Sequence, residues 1–385
     1  MKIVRLGIIG VGNMGAAHAQ NILDGRISRV ELAGLCNADA TRLDRFAGKT
    51  KLLPSSDELI ESGLVDAVLI ATPHYSHPAI GMDALKAGLH VLVEKPIAVH
   101  KADAERFLAA YTNEKLVFAA MFNQRTDPFY LKIREMVRSG QLGEVHRVNW
   151  TITNWFRTEA YYASGDWRAT WAGEGGGVLL NQSPHNIDLL QWIFGMPARV
   201  RAFCGLGRYH NIEVEDDVTA YFEYPNGATA VFITSTGEAP GTNRLEVAAE
   251  RGRLVYENDA LTFWRNEVPT TEFSRASAKP FDAPACTEIK FPLQGHGGQH
   301  VAVLQNFVDA ILDGEPPIAP ATEGIHSVEL ANAMLYSSLK KQTVELPLDA
   351  AAYEQTLKGL IANSRVTQKE VRHPSVVDFG KSFNR

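Results

Sequence analysis

Short apolar, β-branched runs alternate with stretches of helical spacing from the start of the chain to about Asn123. The strand pattern falls on residues 3–9, 30–36, 66–71, 90–93 and 116–121, and helix-start residues open the segments between them. Ser55 with Glu58, for instance, has capping-box spacing. Strands that alternate with helices predict a parallel sheet covered on both faces, so residues 1–123 read as a doubly wound α/β domain.

The texture changes after Asn123. A helix near 128–137 precedes a strand at 145–153, a Trp, Tyr and Gly-rich stretch up to Gly177, and a helix at 184–194. Alternating runs follow at 199–205, 217–224, 228–234, 244–249 and 253–256, and turns such as Pro225-Asn226-Gly227 between them predict antiparallel hairpins. Residues 124–385 therefore read as an α+β domain with one large, open, mainly antiparallel sheet. The Pro, Ala and Gly-rich segment 271–298 is weakly periodic and reads as a surface excursion. Helices are expected at 301–312, 322–339 and 351–362, and the last twenty residues as a polar tail.

Composition narrows the function classes. At 45% hydrophobic and 21% charged residues the chain matches a soluble globular protein, and its 385 residues suit two cores. A net charge of −6 argues against a phosphate-backbone binder, so no nucleic-acid partner is expected. Cys36, Cys204 and Cys286 are too far apart for a disulfide framework or a Cys-x-x-Cys site, which suits a reducing cytoplasm. No signal-like segment or membrane span is apparent, and the 12 histidines show no metal-site spacing, so no metal is expected.

Gly10-Val11-Gly12-Asn13-Met14-Gly15 has Gly-x-Gly-x-x-Gly spacing between an apolar strand and a helix. Gly10 allows the turn, Gly12 lets a pyrophosphate approach the backbone, and Gly15 permits close helix packing, while the helix start supplies amide donors. The position of an NAD-type ribose acid holds Asn37, which does not repel a 2′-phosphate. Arg42 can pair with such a phosphate and Asp39 can serve the hydroxyl instead, so NAD and NADP both stay open. Further on, Glu94-Lys95-Pro96 places a lysine at the carboxyl end of a buried strand, where open α/β sheets bind ligands. Desolvation there lowers a lysine pKa and suits it to exchange a proton with a substrate hydroxyl.

These elements, with Ala71-Thr72-Pro73-His74 and His77, Phe122-Asn123-Gln124-Arg125, Gly140 to Glu144, and Gly175-Gly176-Gly177 leading to His185 and Asp188, resemble the Gfo/Idh/MocA oxidoreductases over roughly residues 3–348. The resemblance implies an N-terminal Rossmann domain, then an α/β domain whose open sheet covers the nicotinamide crevice and often mediates oligomerisation. It implies a sugar, glycoside or polyol substrate and a homodimer or homotetramer. By position, Thr72, Pro73, His74 and His77 would line nicotinamide and pyrophosphate, Glu94 and Lys95 would flank the reacting carbon, and Gln124 and Arg125 would close the pocket, Arg125 reaching substrate.

One element departs from the family. Where many members carry Asp-x-x-x-His, this chain has Asn181-Gln182-Ser183-Pro184-His185. Ser183 and Pro184 have the form of an N-cap and first helical residue, which places His185 on the first turn. Asn181 can donate to and accept from substrate hydroxyls but cannot take a proton, so the acid/base work falls to Lys95 and His185. Asp188 can orient His185 or cap a separate network. Trp155, Tyr161, Tyr162, Asp166, Trp167, Arg168 and Trp171 offer aromatic faces and polar groups for a sugar, Trp167 and Arg168 foremost, or else core packing. The reading that follows is an NAD(P)-dependent sugar or cyclitol oxidoreductase. Its alternatives are glycoside cleavage through a transient 3-keto intermediate with recycled cofactor, and a non-catalytic dinucleotide or sugar sensor.

Overall fold

The computed structural model describes residues 2–165 and 167–364, so Asp166 and the expected polar tail lie outside the described residues. Strands β1 (Val4–Ile9), β2 (Val30–Cys36), β3 (Lys51–Leu53), β4 (Ala67–Ile70), β5 (His90–Val93) and β6 (Phe118–Ala120) form a parallel sheet in the order β3-β2-β1-β4-β5-β6. Helices α1 (Asn13–Leu23), α2 (Ser56–Glu61), α3 (His77–Lys86) and α4 (Lys101–Ala109) connect them, and the Ser55 hydroxyl accepts the Glu58 N–H as a cap should. Every residue of β4 is buried, which is why its sequence is an unbroken apolar run. β3 went unanticipated because three residues are too few to show a period.

The second sheet has nine strands in the order β14-β13-β12-β11-β7-β10-β9-β8-β15. They are β7 (Val145–Ile152), β8 (Arg199–Leu206), β9 (Glu215–Glu223), β10 (Thr229–Ser235), β11 (Asn243–Ala249), β12 (Gly252–Glu257), β13 (Ala260–Asn266), β14 (Cys286–Phe291) and β15 (Val344–Glu345). Every pairing is antiparallel except β7 with β10. Along β9, Val218, Ala220 and Phe222 are buried while Thr219 and Tyr221 face out, the alternation of a sheet covered on one side. The accompanying helices are α5 (Pro128–Arg138), α6 (Glu159–Tyr162), α7 (Pro184–Phe194), α8 (Thr270–Ala276), α9 (Gln299–Asp313), α10 (Ala321–Lys340) and α11 (Ala350–Ala362). Among them α10 lies against β8 and α7.

The segment expected as a surface excursion holds α8 and β14, the latter paired with β13. As an edge strand exposed over most of its length, β14 has no buried face to print a hydrophobic period on the sequence. The last third of the chain also returns to the first sheet. Val303, Leu304, Phe307 and Val308 of α9 pack in one cluster with Leu6, Ile8, Ala16 and Leu92. Arg29 reaches Asp309 and Asp313 on the same helix, each at 2.5 Å.

The turn Asn123–Thr126 after β6 carries Arg125, whose guanidinium is fully buried. It binds Asp188 of α7 in bidentate fashion, with both N–O distances at 2.7 Å, and reaches Glu323 of α10 at 2.5 Å and the Ile318 carbonyl at 3.3 Å. Arg125 therefore ties the turn to two helices of the second domain and is not placed to touch a substrate, a correction to its expected role. Asp188 is accordingly the base of this ion network, and it also accepts from Gln191 at 3.0 Å. Replacing Arg125 with methionine leaves Asp188 buried without its counter-charge and is expected to cost about 3–5 kcal/mol of unfolding free energy. Urea denaturation checks this, and an unchanged midpoint would show the tie to be dispensable.

Candidate active site

The glycine-rich loop connects β1 to α1. Gly10 has φ +91°, a left-handed backbone that seats it against Ala71 and Thr72, and a Cβ on Gly15 would collide with the Gly10 carbonyl. Gly12 differs: a Cβ there would meet only the Arg42 guanidinium, at 3.8 Å. It is the N-cap of α1, whose start has no side-chain cap and no acidic residue in its first turn, so the amides of Asn13 and Met14 remain open to an anion. On the turn after β6, the Oε1 atom of Gln124 is buried without a protein hydrogen bond among the described residues, as befits a group awaiting a polar ligand. The open amides at the start of α1 and the free face of Gly12 fit a bound dinucleotide phosphate bridge.

Asn37 braces the loop: its Oδ1 accepts the Val11 N–H and its Nδ2 donates to the Asp39 carbonyl, both at 2.8 Å. Each atom keeps one further hydrogen-bonding position. Asp39 caps the following turn through Thr41 and holds the Arg42 Nε at 3.4 Å, leaving Arg42 half exposed beside Gly12.

Lys95 follows β5 and is half-buried, and its Nζ donates to the Asn181 backbone carbonyl at 2.8 Å. Burial lowers its pKa; Glu94 and Glu174 oppose that, while Arg157 and Arg168 reinforce it. Glu94 is buried, with Oε1 2.8 Å from His18 Nε2. Burial alone would raise its pKa, but the His18 hydrogen bond and the charges of His18, His300 and Lys95 hold it near about 2. Glu94 is thus an anchored counter-ion for Lys95. His77 spans two strand-end loops, with Nδ1 2.8 Å from the Pro96 carbonyl and Nε2 2.8 Å from the Thr72 carbonyl. Burial next to His77 and Lys95 holds the pKa of His74 down at about 3, so its ring stays neutral.

The other wall comes from residues 161–185. Trp167 stands edge-on to His74, their ring centroids 6.5 Å apart, and the Arg168 guanidinium lies over the Trp167 and Tyr161 rings, 4.6 Å from each centroid. The Tyr161 hydroxyl accepts from Arg168, Asn181 and Gln182 at 3.0, 3.3 and 3.2 Å. Trp155, Tyr162 and Trp171 are buried in the core, so of the aromatic residues expected to meet a sugar these three serve packing. Ser183 occupies the N-cap of α7 as expected, yet its hydroxyl pairs with Thr234 at 2.6 Å instead of capping. Pro184 then opens the helix and His185 sits on its first turn, buried, with its ring edge-on to Phe122.

Sequence reasoning missed four residues here. His18 and His300, whose ring centroids are 5.7 Å apart, flank Glu94 from α1 and α9, and no local motif marks them. Glu174 is buried, accepts the Ala169 N–H at 2.6 Å, and binds the side-chain amide of Asn181. Its position just before Gly175-Gly176-Gly177 was a usable signal. Glu215 supports the same run, taking the N–H groups of Gly177 and Leu179 at 2.8 and 3.0 Å.

Because a Cβ on Gly12 would make only an ordinary 3.8 Å contact with the Arg42 guanidinium, Gly12→Ala is expected to leave thermal unfolding unchanged. The same variant should weaken nicotinamide dinucleotide binding by roughly tenfold or more, ~1.4 kcal/mol. Calorimetric titration of wild type and variant tests this, and equal affinities would remove Gly12 from the site.

Residues 4–122 match the family described as "Oxidoreductase family, NAD-binding Rossmann fold", and residues 130–255 match the GFO/IDH/MocA C-terminal domain. A myo-inositol 2-dehydrogenase of Thermotoga maritima is 25% identical, the alignment spanning 89% of this chain and 98% of the relative. The scyllo-inositol 2-dehydrogenase (NADP(+)) IolW of Bacillus subtilis is 22% identical over 89% of this chain and 96% of its own. In fold the chain is similar to the WlbA dehydrogenase of Bordetella pertussis, crystallised with NADH and UDP-GlcNAcA, at a TM-score of 0.77 and 23% identity over 91% of this chain and 99% of that one. With both of its sheets and both of its domain signatures accounted for, the chain belongs to the Gfo/Idh/MocA family of NAD(P)-dependent oxidoreductases.

Proposed function

We propose that the protein moves a hydride between nicotinamide and a secondary hydroxyl or ketone of a sugar, glycoside or cyclitol, with Lys95 and His185 exchanging the proton. The observation that carries this reading is the placement of Lys95. Its ammonium sits at the carboxyl end of β5, desolvated, and spans to the Asn181 carbonyl of the opposing wall. The family relatives named as inositol dehydrogenases support the substrate class.

When bound, the nicotinamide dinucleotide supplies the hydride acceptor or donor. The residues that would hold it are Gly10, Gly12, Asn13, Met14 and Gly15 at the phosphates, with Thr72, Pro73, His74 and Gln124 lining the nicotinamide side. Arg42 beside Gly12 would meet a 2′-phosphate, so the site accommodates NADP as well as NAD. In the oxidative direction, neutral Lys95 Nζ takes the proton of the substrate hydroxyl as the C–H bond breaks, and His185 on the α7 start serves as the second acid/base group. Trp167 and Arg168 form the wall against the sugar ring, and the Asn181 side chain fixes a neighbouring hydroxyl. Cytoplasmic residence and a homodimer or homotetramer complete the proposal. The exposed face of the nine-stranded sheet supports assembly, since Phe203 and Tyr221 stand out from it at 63% and 42% exposure. Among the described residues no helix is long and apolar enough to cross a membrane.

Lys95→Ala and His185→Ala are each expected to cut turnover by about 10²–10⁴-fold while the cofactor still binds. With wild type, kcat for alcohol oxidation should fall as pH drops through the lowered Lys95 pKa, because the ammonium form cannot accept a proton. The decisive measurement adds NAD and NADP separately with a panel of polyols, sugars and glycosides and follows reduced nicotinamide. Product from a glycoside without net nicotinamide reduction would replace this reading with glycoside cleavage through a keto intermediate. No turnover across the panel would favour a sensor.

A further inference from the structure

We propose that Glu174 is the positioning residue of the reaction centre, carrying the negative charge that position 181 lacks and fixing the Asn181 amide so that it faces substrate as a hydrogen-bond acceptor. The proposal rests on the dehydrogenase reading above and extends it to a residue outside the family motifs quoted earlier.

Three features converge on this carboxylate. First, it is 1% exposed yet has no lysine or arginine closer than the Arg168 Nη1 at 3.8 Å among the described residues. A buried carboxylate left without a close cation is costly unless hydrogen bonds and nearby positive charge compensate it. Burial still leaves its pKa raised above the ordinary carboxylate value, and the field of Arg168, the Ala169 N–H, the Asn181 Nδ2 and the field of Lys95 oppose that rise and favour the charged form.

Second, its bond to Asn181 decides which way the amide points. A carboxylate only accepts, so the NH2 half of Asn181 is turned to Glu174 and shared with the Tyr161 hydroxyl. Among the described residues the Oδ1 half accepts no protein hydrogen bond, which leaves it for a substrate hydroxyl. An asparagine held in this way does the accepting work of an aspartate while remaining neutral. The charge sits one side chain behind it, on Glu174, where burial shields it from solvent.

Third, the same arrangement reaches Lys95. The Asn181 backbone carbonyl receives the Lys95 Nζ while its side chain binds Glu174, so one residue joins the proton-exchanging lysine to the buried carboxylate. The negative field of Glu174 stabilises the Lys95 ammonium against its burial. On its other side, the Glu174 backbone carbonyl lies 3.4 Å from His74 Nδ1, which ties this segment to the cofactor-facing loop.

The test exchanges the members of the pair. Glu174→Gln removes the charge and is expected to lower kcat by about tenfold or more with a smaller change in KM, and to shift the acid limb of the kcat profile to lower pH. Asn181→Asp puts a second carboxylate in contact with Glu174, so that the two compete for one proton, and is also expected to slow turnover. The double variant Glu174→Gln/Asn181→Asp restores one amide facing one carboxylate, and its kcat should exceed that of both single variants. Independently of any substrate, NMR titration of 15N-lysine-labelled protein, with the Lys95 signal assigned from its loss in Lys95→Arg, should show a lower Lys95 pKa in Glu174→Gln than in wild type. A double variant no faster than the singles, or an unmoved Lys95 titration, overturns the proposal. If no substrate is turned over, the dehydrogenase reading fails while the lysine titration still decides whether Glu174 sets the charge state of Lys95.

Discussion

A lysine ammonium withdrawn from water must be compensated or it gives up its proton, and the crevice is organised around that requirement at Lys95. On the β5 side the compensation is Glu94, itself held ionised by His18 and by the field of His300. Across the crevice it is the Asn181 carbonyl, with Glu174 behind it. Because one half of this arrangement follows β5 and the other lies in the segment that leads into α7, their spacing has to be fixed by something other than the site. The Arg125 fork on Asp188 provides that fixation, locking the turn after β6 to α7, the helix on whose first turn His185 sits. Preorganisation of this kind is what allows groups of opposed charge to stay in place without substrate to hold them.

How much of this was legible in the sequence follows from how local each feature is. The parallel strands other than β3 declared themselves through short, mainly apolar runs, unbroken in β4, and the cofactor loop through glycines whose spacing reflects close contacts within a few residues, Gly15 against Gly10 being the clearest. The misplaced role of Arg125 has one cause: it finds its partners 63 and 198 positions away, and a charged residue has the same appearance in sequence whether it awaits a ligand or a buried carboxylate. Asn37 shows a related case, an amide in a cofactor position whose two polar atoms each also bind neighbouring backbone. Glu174 carries no period or spacing of its own, so its one signal in the sequence was indirect: the glycine run that follows it announces backbone packed unusually closely.

The aromatic stretch between 155 and 171 divides by burial in the same manner. Trp155, Tyr162 and Trp171 fill the core beneath the wall, whereas Trp167 and Tyr161 remain partly open and are engaged by Arg168. Composition could mark the segment as carbohydrate-like; only packing separates the rings that support the surface from the rings that form it.

The return of α9 to the first sheet has a consequence for how the chain acquires its structure. Val303, Leu304, Phe307 and Val308 complete an apolar cluster whose other members lie within the first 121 residues. During synthesis the N-terminal strands emerge long before the helix that seals them, so that cluster stays open to solvent until almost the whole second sheet has been made. The order in which the ribosome delivers this chain is therefore not the order in which its cores can close, and the nascent cofactor domain spends that interval exposing the surface that α9 will later cover.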